Sequence, residues 1–235
     1  MPVSNQASLV SEGTVTVSLS DALQVRGGPL GQEELWSVLC QSAKALQDVF
    51  LRGEAVVQGA PRFVLCPYTL HVRPSGRVSF AETIDPSLPN IRNFLSPEVL
   101  TGHLNPSDVA VEKMLVFSLG MTLFWAAEFS TPAGSTPSLS PDLQATLLSM
   151  TNTNAASRVA LIHILEACTL HARQSHGELP YAHHVMKLSR IVMGSVHELD
   201  KLVHPYSPGD EVDADLNGSF PLNSSGSLAP NGSML

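Results

Sequence analysis

Between Val111 and Ala127 almost every face of a helix would be apolar. Leu115, Val116, Phe117, Leu119, Met121, Leu123, Phe124 and Trp125 leave no polar stripe, and a helix that is hydrophobic all round is buried all round. The longest apolar stretch, Met114 to Ala127, is too short to span a bilayer. It predicts a central core helix wrapped by other elements, hence a mainly α domain built in layers around it. The chain has 235 residues, 43% of them apolar, enough for one such domain plus loose ends.

The remaining elements follow from local signals. Ser18 caps a short helix, with Asp21 at the reciprocal capping-box position, and Gly27-Gly28-Pro29 ends it. A long helix begins near Gln32 and runs to about Leu51. Leu35, Trp36, Leu39, Leu46, Val49 and Phe50 recur there at helical spacing, and Glu33 and Glu34 sit in its first turn. Between residues 62 and 81 the period changes to two. Phe63-Val64-Leu65-Cys66 is an apolar run, Leu70 and Val72 alternate with His71 and Arg73, Pro74-Ser75-Gly76 is a turn, and Val78 and Phe80 flank Ser79; together they predict a small β-hairpin. A loop rich in Pro and Asn over 82–110 carries a short helix at Ser96-Pro97-Glu98-Val99-Leu100. After a Ser/Thr/Pro/Gly loop at 129–140, Ser140-Pro141 starts a helix to Met150, and helices over 156–172 and 180–203 close the domain. Residues 1–14 and 205–235 read as disordered ends around a domain at 15–204.

Charge and motif content exclude several classes of function. The net charge of −8 opposes binding to nucleic acid or to anionic membrane, and suits a basic protein partner. Cys40, Cys66 and Cys168 are dispersed and odd in number, which predicts neither a zinc site nor a disulfide framework, and fits a reducing compartment. Met1 to Ser11 has neither a basic start nor an apolar run, so no signal peptide is expected and the sequons at Asn217, Asn223 and Asn231 read as chance products of the tail. His183 and His184 would point about 100° apart on a helix, and His163 and His171 are two turns apart, so no metal site is expected. The chain has no G-x-S-x-G elbow, no phosphate-binding glycine loop and no phosphatase-type His-Cys loop. No catalytic, cofactor-binding or metal-binding residue is assigned.

The order of elements then becomes informative. A long helix, a hairpin, a Pro-Glu segment, a buried helix and three further helices follow the order of a protein-kinase C-lobe. Ser96-Pro97-Glu98 resembles the kinase Ala-Pro-Glu motif, and Phe117-Ser118-Leu119-Gly120-Met121-Thr122-Leu123 resembles the segment within the kinase central helix. Arg158, read as opening the helix that contains Ile164-Leu165-Glu166-Ala167, resembles the late arginine that pairs with the Pro-Glu glutamate. The resemblance therefore implies a structural ion pair between Glu98 and Arg158, because a carboxylate tucked under a loop needs a bidentate cation to offset desolvation. The same comparison places Val64, Cys66 and Thr69 where kinases carry the catalytic Asp, Lys and Asn. It places Glu82-Thr83-Ile84 at the metal-binding Asp-Phe-Gly, and Leu115 at the acid that anchors the central helix. Too few residues precede Gln32 for an N-lobe, so no ATP site is expected.

This pattern resembles the KIND domain, the kinase non-catalytic C-lobe domain. Val17-Ser18-Leu19, Ala22 to Leu30 and Glu33-Glu34-Leu35-Trp36 resemble its opening, and Ser118 to Trp125 resemble its central helix. Among KIND domains the likeness is greatest to those at the N-termini of FERM- and PDZ-containing proteins. The resemblance implies a C-lobe-like helical fold with a small hairpin and no N-lobe, and a non-enzymatic interaction module that binds a protein, as other members bind a basic formin segment or a microtubule-associated protein. A basic, cytoskeletal partner and a cytoplasmic location at the cytoskeleton or submembrane cortex are expected. Glu33, Glu34 and Glu128 are the candidate partner-binding residues. The alternative is that the chain is the N-terminal part of a non-receptor tyrosine phosphatase whose catalytic domain lies outside it.

Overall fold

The computed structural model describes residues 16–57, 60–82, 90–102, 107–132, 137–175 and 180–203; side chains at 57, 60 and 195–203 are outside the description. The expected disordered ends, the three sequons, Thr83 and Ile84 lie outside the described residues.

The chain opens with β1 (Val17–Ser18), α1 (Leu19–Arg26) and α2 (Gln32–Leu51). Two short strands follow, β2 (Val56–Val57) and β3 (Ala60–Pro61), then the hairpin of β4 (Leu70–Val72) and β5 (Val78–Phe80). A 3-10 turn (Ile91–Phe94) leads to α3 (Pro97–Leu100), the central α4 (Asp108–Glu128) and α5 (Pro141–Met150). A second 3-10 turn (Ala155–Ser157) precedes α6 (Leu161–Gln174) and α7 (Tyr181–Val203).

Caps set several of these boundaries. The Ser18 hydroxyl accepts from the Asp21 N–H at 3.0 Å, and Gly27 closes α1 in the left-handed region at φ 72°. Glu34 reaches back to the Gly31 N–H at 2.8 Å and fixes the entry to α2. Ser107 and Ser140 cap α4 and α5.

The core lies where α2 meets α4, α6 and α7. Leu35, Trp36, Leu39 and Leu46 of α2 and Val116, Leu119 and Leu123 of α4 are fully or almost fully buried in it. Each such side chain contributes roughly 1.5–3 kcal/mol by leaving water. Mean hydropathy and length would let α4 cross a membrane, yet most of it is buried within the protein. Gly120 lets α5 approach closely: a Cβ there would meet Thr151 Cγ2 at 2.8 Å and Met150 Cβ at 3.0 Å. Leu115, which the resemblance places at the kinase anchoring acid, is 3% exposed and packs in this core.

Three local expectations are corrected. Phe63 to Cys66 is not a strand but a buried irregular segment, whose backbone is held by a side chain rather than by a ladder. The hairpin gains a third strand, since β1 pairs antiparallel with β4 (Val17 opposite Val72) and gives the order β1-β4-β5. The helix expected from 156 starts at Leu161, and Arg158 does not open it. Arg158 lies in extended backbone after the 3-10 turn, at φ −68° and ψ 138°.

Candidate functional site

A buried polar cluster forms where α3, the start of α4 and the segment before α6 converge. Arg158 is 2% exposed although it carries a permanent charge. Its Nη1 donates to Glu98 Oε1 at 2.7 Å and to the Lys113 carbonyl at 2.7 Å, and its Nη2 donates to Glu98 Oε2 at 3.2 Å. Nε donates to the Asn152 carbonyl at 3.0 Å, and the guanidinium lies 4.9 Å from the centre of the Phe117 ring. Arg158 makes these contacts from extended backbone, between the 3-10 turn and α6. Lys113 Nζ donates back to the Arg158 carbonyl, and Glu112 Oε1 accepts from the Leu161 N–H at 2.8 Å. The structure thus brings Glu98 and Arg158 together in a forked pair, and the same guanidinium ties α3, α4 and the segment after α5 to one another.

Burial alone would push the Glu98 carboxyl up, but the hydrogen bonds and charge of Arg158 outweigh it and hold the carboxyl below its ordinary value. The unfolded chain therefore takes up this proton first as pH falls. The stabilisation is complete above about pH 4.3 and disappears as pH drops through the depressed native value. Urea unfolding of the wild type and of Glu98→Gln between pH 7 and pH 3 should show a steeper acid loss in the wild type.

A second polar knot occupies the segment that the resemblance places at the kinase catalytic loop. Thr69 is 2% exposed. Its hydroxyl donates to the Val64 carbonyl at 2.6 Å and accepts from the Cys66 N–H at 3.0 Å. Its oxygen is therefore committed to holding the loop, where a kinase asparagine would face a metal. Val64 and Cys66 offer neither a carboxylate nor a cation. Glu82, at the position of the metal-binding aspartate, is paired with Arg62 at 2.7 Å. Thr69→Val preserves shape but strands both backbone groups, and should lower stability by about 1–3 kcal/mol in urea denaturation, while Thr69→Ser should lose less.

The candidate partner-binding acids differ in what they already hold. Glu128 ends α4 and is exposed. Glu34 is turned inward to Arg26 Nη1, at 2.6 Å to Oε1, besides capping α2. Glu33 lies 3.4 Å from His171 Nε2, and that ring stacks on Trp36 at 4.4 Å and meets the Tyr181 hydroxyl at 2.6 Å. Sequence spacing could not reveal the Glu33 contact, because it joins α2 to α6 and α7 across the fold. One further feature was not expected: a cleft of about 300 Å³ between the C-terminal half of α2 and β5, with four arginines, Arg52, Arg62, Arg73 and Arg77, in its lining.

Comparison with known proteins supports the kinase-lobe reading. No family model matches the chain. It is 40% identical over 186 residues to mouse (Mus musculus) tyrosine-protein phosphatase non-receptor type 13, covering 79% of the chain and 8% of the relative. It is 32% identical over 189 residues to mouse FERM and PDZ domain-containing protein 2, covering 80% of the chain and 13% of the relative. Mouse kinase non-catalytic C-lobe domain-containing protein 1 matches at 30% identity over 160 residues, covering 67% of the chain and 8% of the relative. The chain therefore spans a small fraction of the length of the relatives it matches. The regions matched in these relatives are non-catalytic, which supports the same status for this domain.

Proposed function

This chain carries a kinase non-catalytic C-lobe (KIND) domain, and from that premise we propose that it is a cytoplasmic docking module of a scaffold or signalling protein, recognising a basic peptide or protein face at the cytoskeleton or submembrane cortex. The observation that carries the reading is the Arg158–Glu98 anchor: the C-lobe framework is held by a buried forked ion pair while the catalytic positions have lost their chemistry. A rigid framework without chemistry presents a surface. The net charge of −8 favours a basic partner by steering it into encounter. In this reading Glu128, exposed at the end of α4, would contact the partner directly, whereas Glu33 and Glu34 would act at the rim of α2 through the side chains they already hold.

A second reading has a specific observation in its favour. The 40% identity to a tyrosine-protein phosphatase makes the chain a candidate N-terminal portion of such an enzyme. Dephosphorylation would then belong to a catalytic segment outside the matched residues, and this domain would recruit or place it.

Melting the full chain with Mg·ATP and, separately, with a Lys/Arg-rich amphipathic peptide tests the proposal. The expected result is no shift with Mg·ATP and an upward shift with the basic peptide that fades as salt is raised. Stabilisation by Mg·ATP, or no shift with the basic peptide, overturns it.

A further inference from the structure

We propose that the outer edge of β5, with Arg73 and Arg77 beside it, is a second docking groove that accepts an extended acidic peptide segment of a partner protein by strand addition. The hydrogen-bond parity of the sheet carries the first part of the argument. β4 and β5 pair with Leu70 opposite Phe80, His71 opposite Ser79 and Val72 opposite Val78. In the same register, the Arg73 N–H donates to the Arg77 carbonyl at 2.9 Å and the Ala81 N–H donates to the Thr69 carbonyl at 2.9 Å. In an antiparallel pair, residues directly opposite alternate between bonded and non-bonded. The odd-numbered residues therefore exchange hydrogen bonds across β4 and β5, and the backbone groups of Val72 turn to Val17 of β1. The N–H and C=O of Val78 and Phe80 point away from the sheet. No backbone hydrogen bond from another described residue reaches them.

An open edge is ordinarily covered or blunted. This one opens instead onto the cleft of about 300 Å³ against α2. Phe63 stacks on Phe80 with ring centres 5.0 Å apart, which gives the cleft an apolar wall. A backbone ladder beside a side-chain pocket is the arrangement that strand addition needs.

Charge selects the occupant. Four of the chain's 13 basic residues line this cleft, in a molecule of net charge −8. Arg62 is tied to Glu82 at 2.7 Å, and Arg52 lies 3.4 Å from Glu54. Arg73 donates from Nε to the Ser79 hydroxyl at 2.9 Å. Neither Arg73 nor Arg77 has a carboxylate partner among the described residues, and Asp48 is the remaining acid in the lining. Strand alternation puts Arg73, Arg77 and Ser79 on one face and Val78 and Phe80 on the other. A peptide with acids at alternate positions would place them along the arginine face and its apolar residues toward Phe80. This groove is opposite in charge to the basic-partner surface proposed above, so either can fail without the other.

The test is fluorescence anisotropy of the full chain with a labelled peptide of alternating Glu and Val, against its Lys/Val counterpart. The acidic peptide should bind and the basic one should not compete. Arg77→Glu, at an exposed position whose side chain has no ion-pair partner among the described residues, should weaken binding by about tenfold or more. Methylating the peptide amides that face β5 should abolish binding, and methylating the alternate set should spare it. Hydrogen exchange at Val78 and Phe80 should slow when the peptide is present. Equal binding of the Lys/Val peptide, indifference to Arg77→Glu, or unchanged exchange at both amides would overturn the proposal.

Discussion

Arg158→Ala should lower the stability of the domain by about 3–5 kcal/mol, the cost of removing one partner of a buried ion pair. The size follows from what the side chain holds. Its guanidinium serves both oxygens of Glu98 and the carbonyls of Lys113 and Asn152, and lies over Phe117. Truncation leaves Glu98 without its cation, takes one donor from each of two backbone carbonyls, and opens space beside α4. Arg158→Lys should recover only part of the loss, because an ammonium cannot fork to both oxygens of a carboxylate. Urea midpoints of the three proteins check this. A midpoint for Arg158→Ala equal to that of the wild type would mean that these segments are held by something else.

The second large effect is expected at the hairpin turn. Gly76 adopts φ 77°, and a Cβ there would meet the Ala182 carbonyl oxygen at 2.3 Å and Ala182 Cβ at 2.8 Å. The obstacle is the backbone of α7, which cannot rotate away as a side chain would. Gly76→Ala combines a left-handed penalty of about 1–2 kcal/mol with overpacking of about 1–3 kcal/mol, so a loss of about 2–5 kcal/mol is expected. Gly27→Ala provides the control. Gly27 has φ 72° but nothing within 4 Å of a Cβ, so only the conformational part of about 1–2 kcal/mol should be lost. Equal losses at the two sites would contradict the close docking of α7 on the hairpin.

What was legible in the sequence was what local chemistry determines. An all-round apolar run gave α4, Ser18 and Gly27 marked the ends of α1, and Pro74-Ser75-Gly76 marked the turn between β4 and β5. The pairing of Glu98 with Arg158 came from a family likeness rather than from spacing, since 60 positions separate them. The errors share a cause, which is tertiary satisfaction of backbone groups. Phe63 to Cys66 has a strand's composition, but Thr69 satisfies its backbone from within the loop. Arg158 has the composition of a helix start, but the segment stays extended so that the guanidinium can reach α3 and α4. β1 has two residues, too few to show a period, and is defined by β4 alone. The arginine-lined cleft was invisible because its residues come from α2, β5 and the segments beside them.

The central claim is that this kinase-like framework survives as a binding surface for a basic partner. Affinity capture with the full chain from brain or epithelial extract, washed at low and then raised salt and repeated with Glu128→Lys, tests it most directly. The account predicts a basic cytoskeletal or cortical protein that is retained at low salt, released as ionic strength screens the contact, and lost with the charge-reversed chain. Capture of nothing above background, or of a partner whose retention ignores both salt and the reversal, would contradict it.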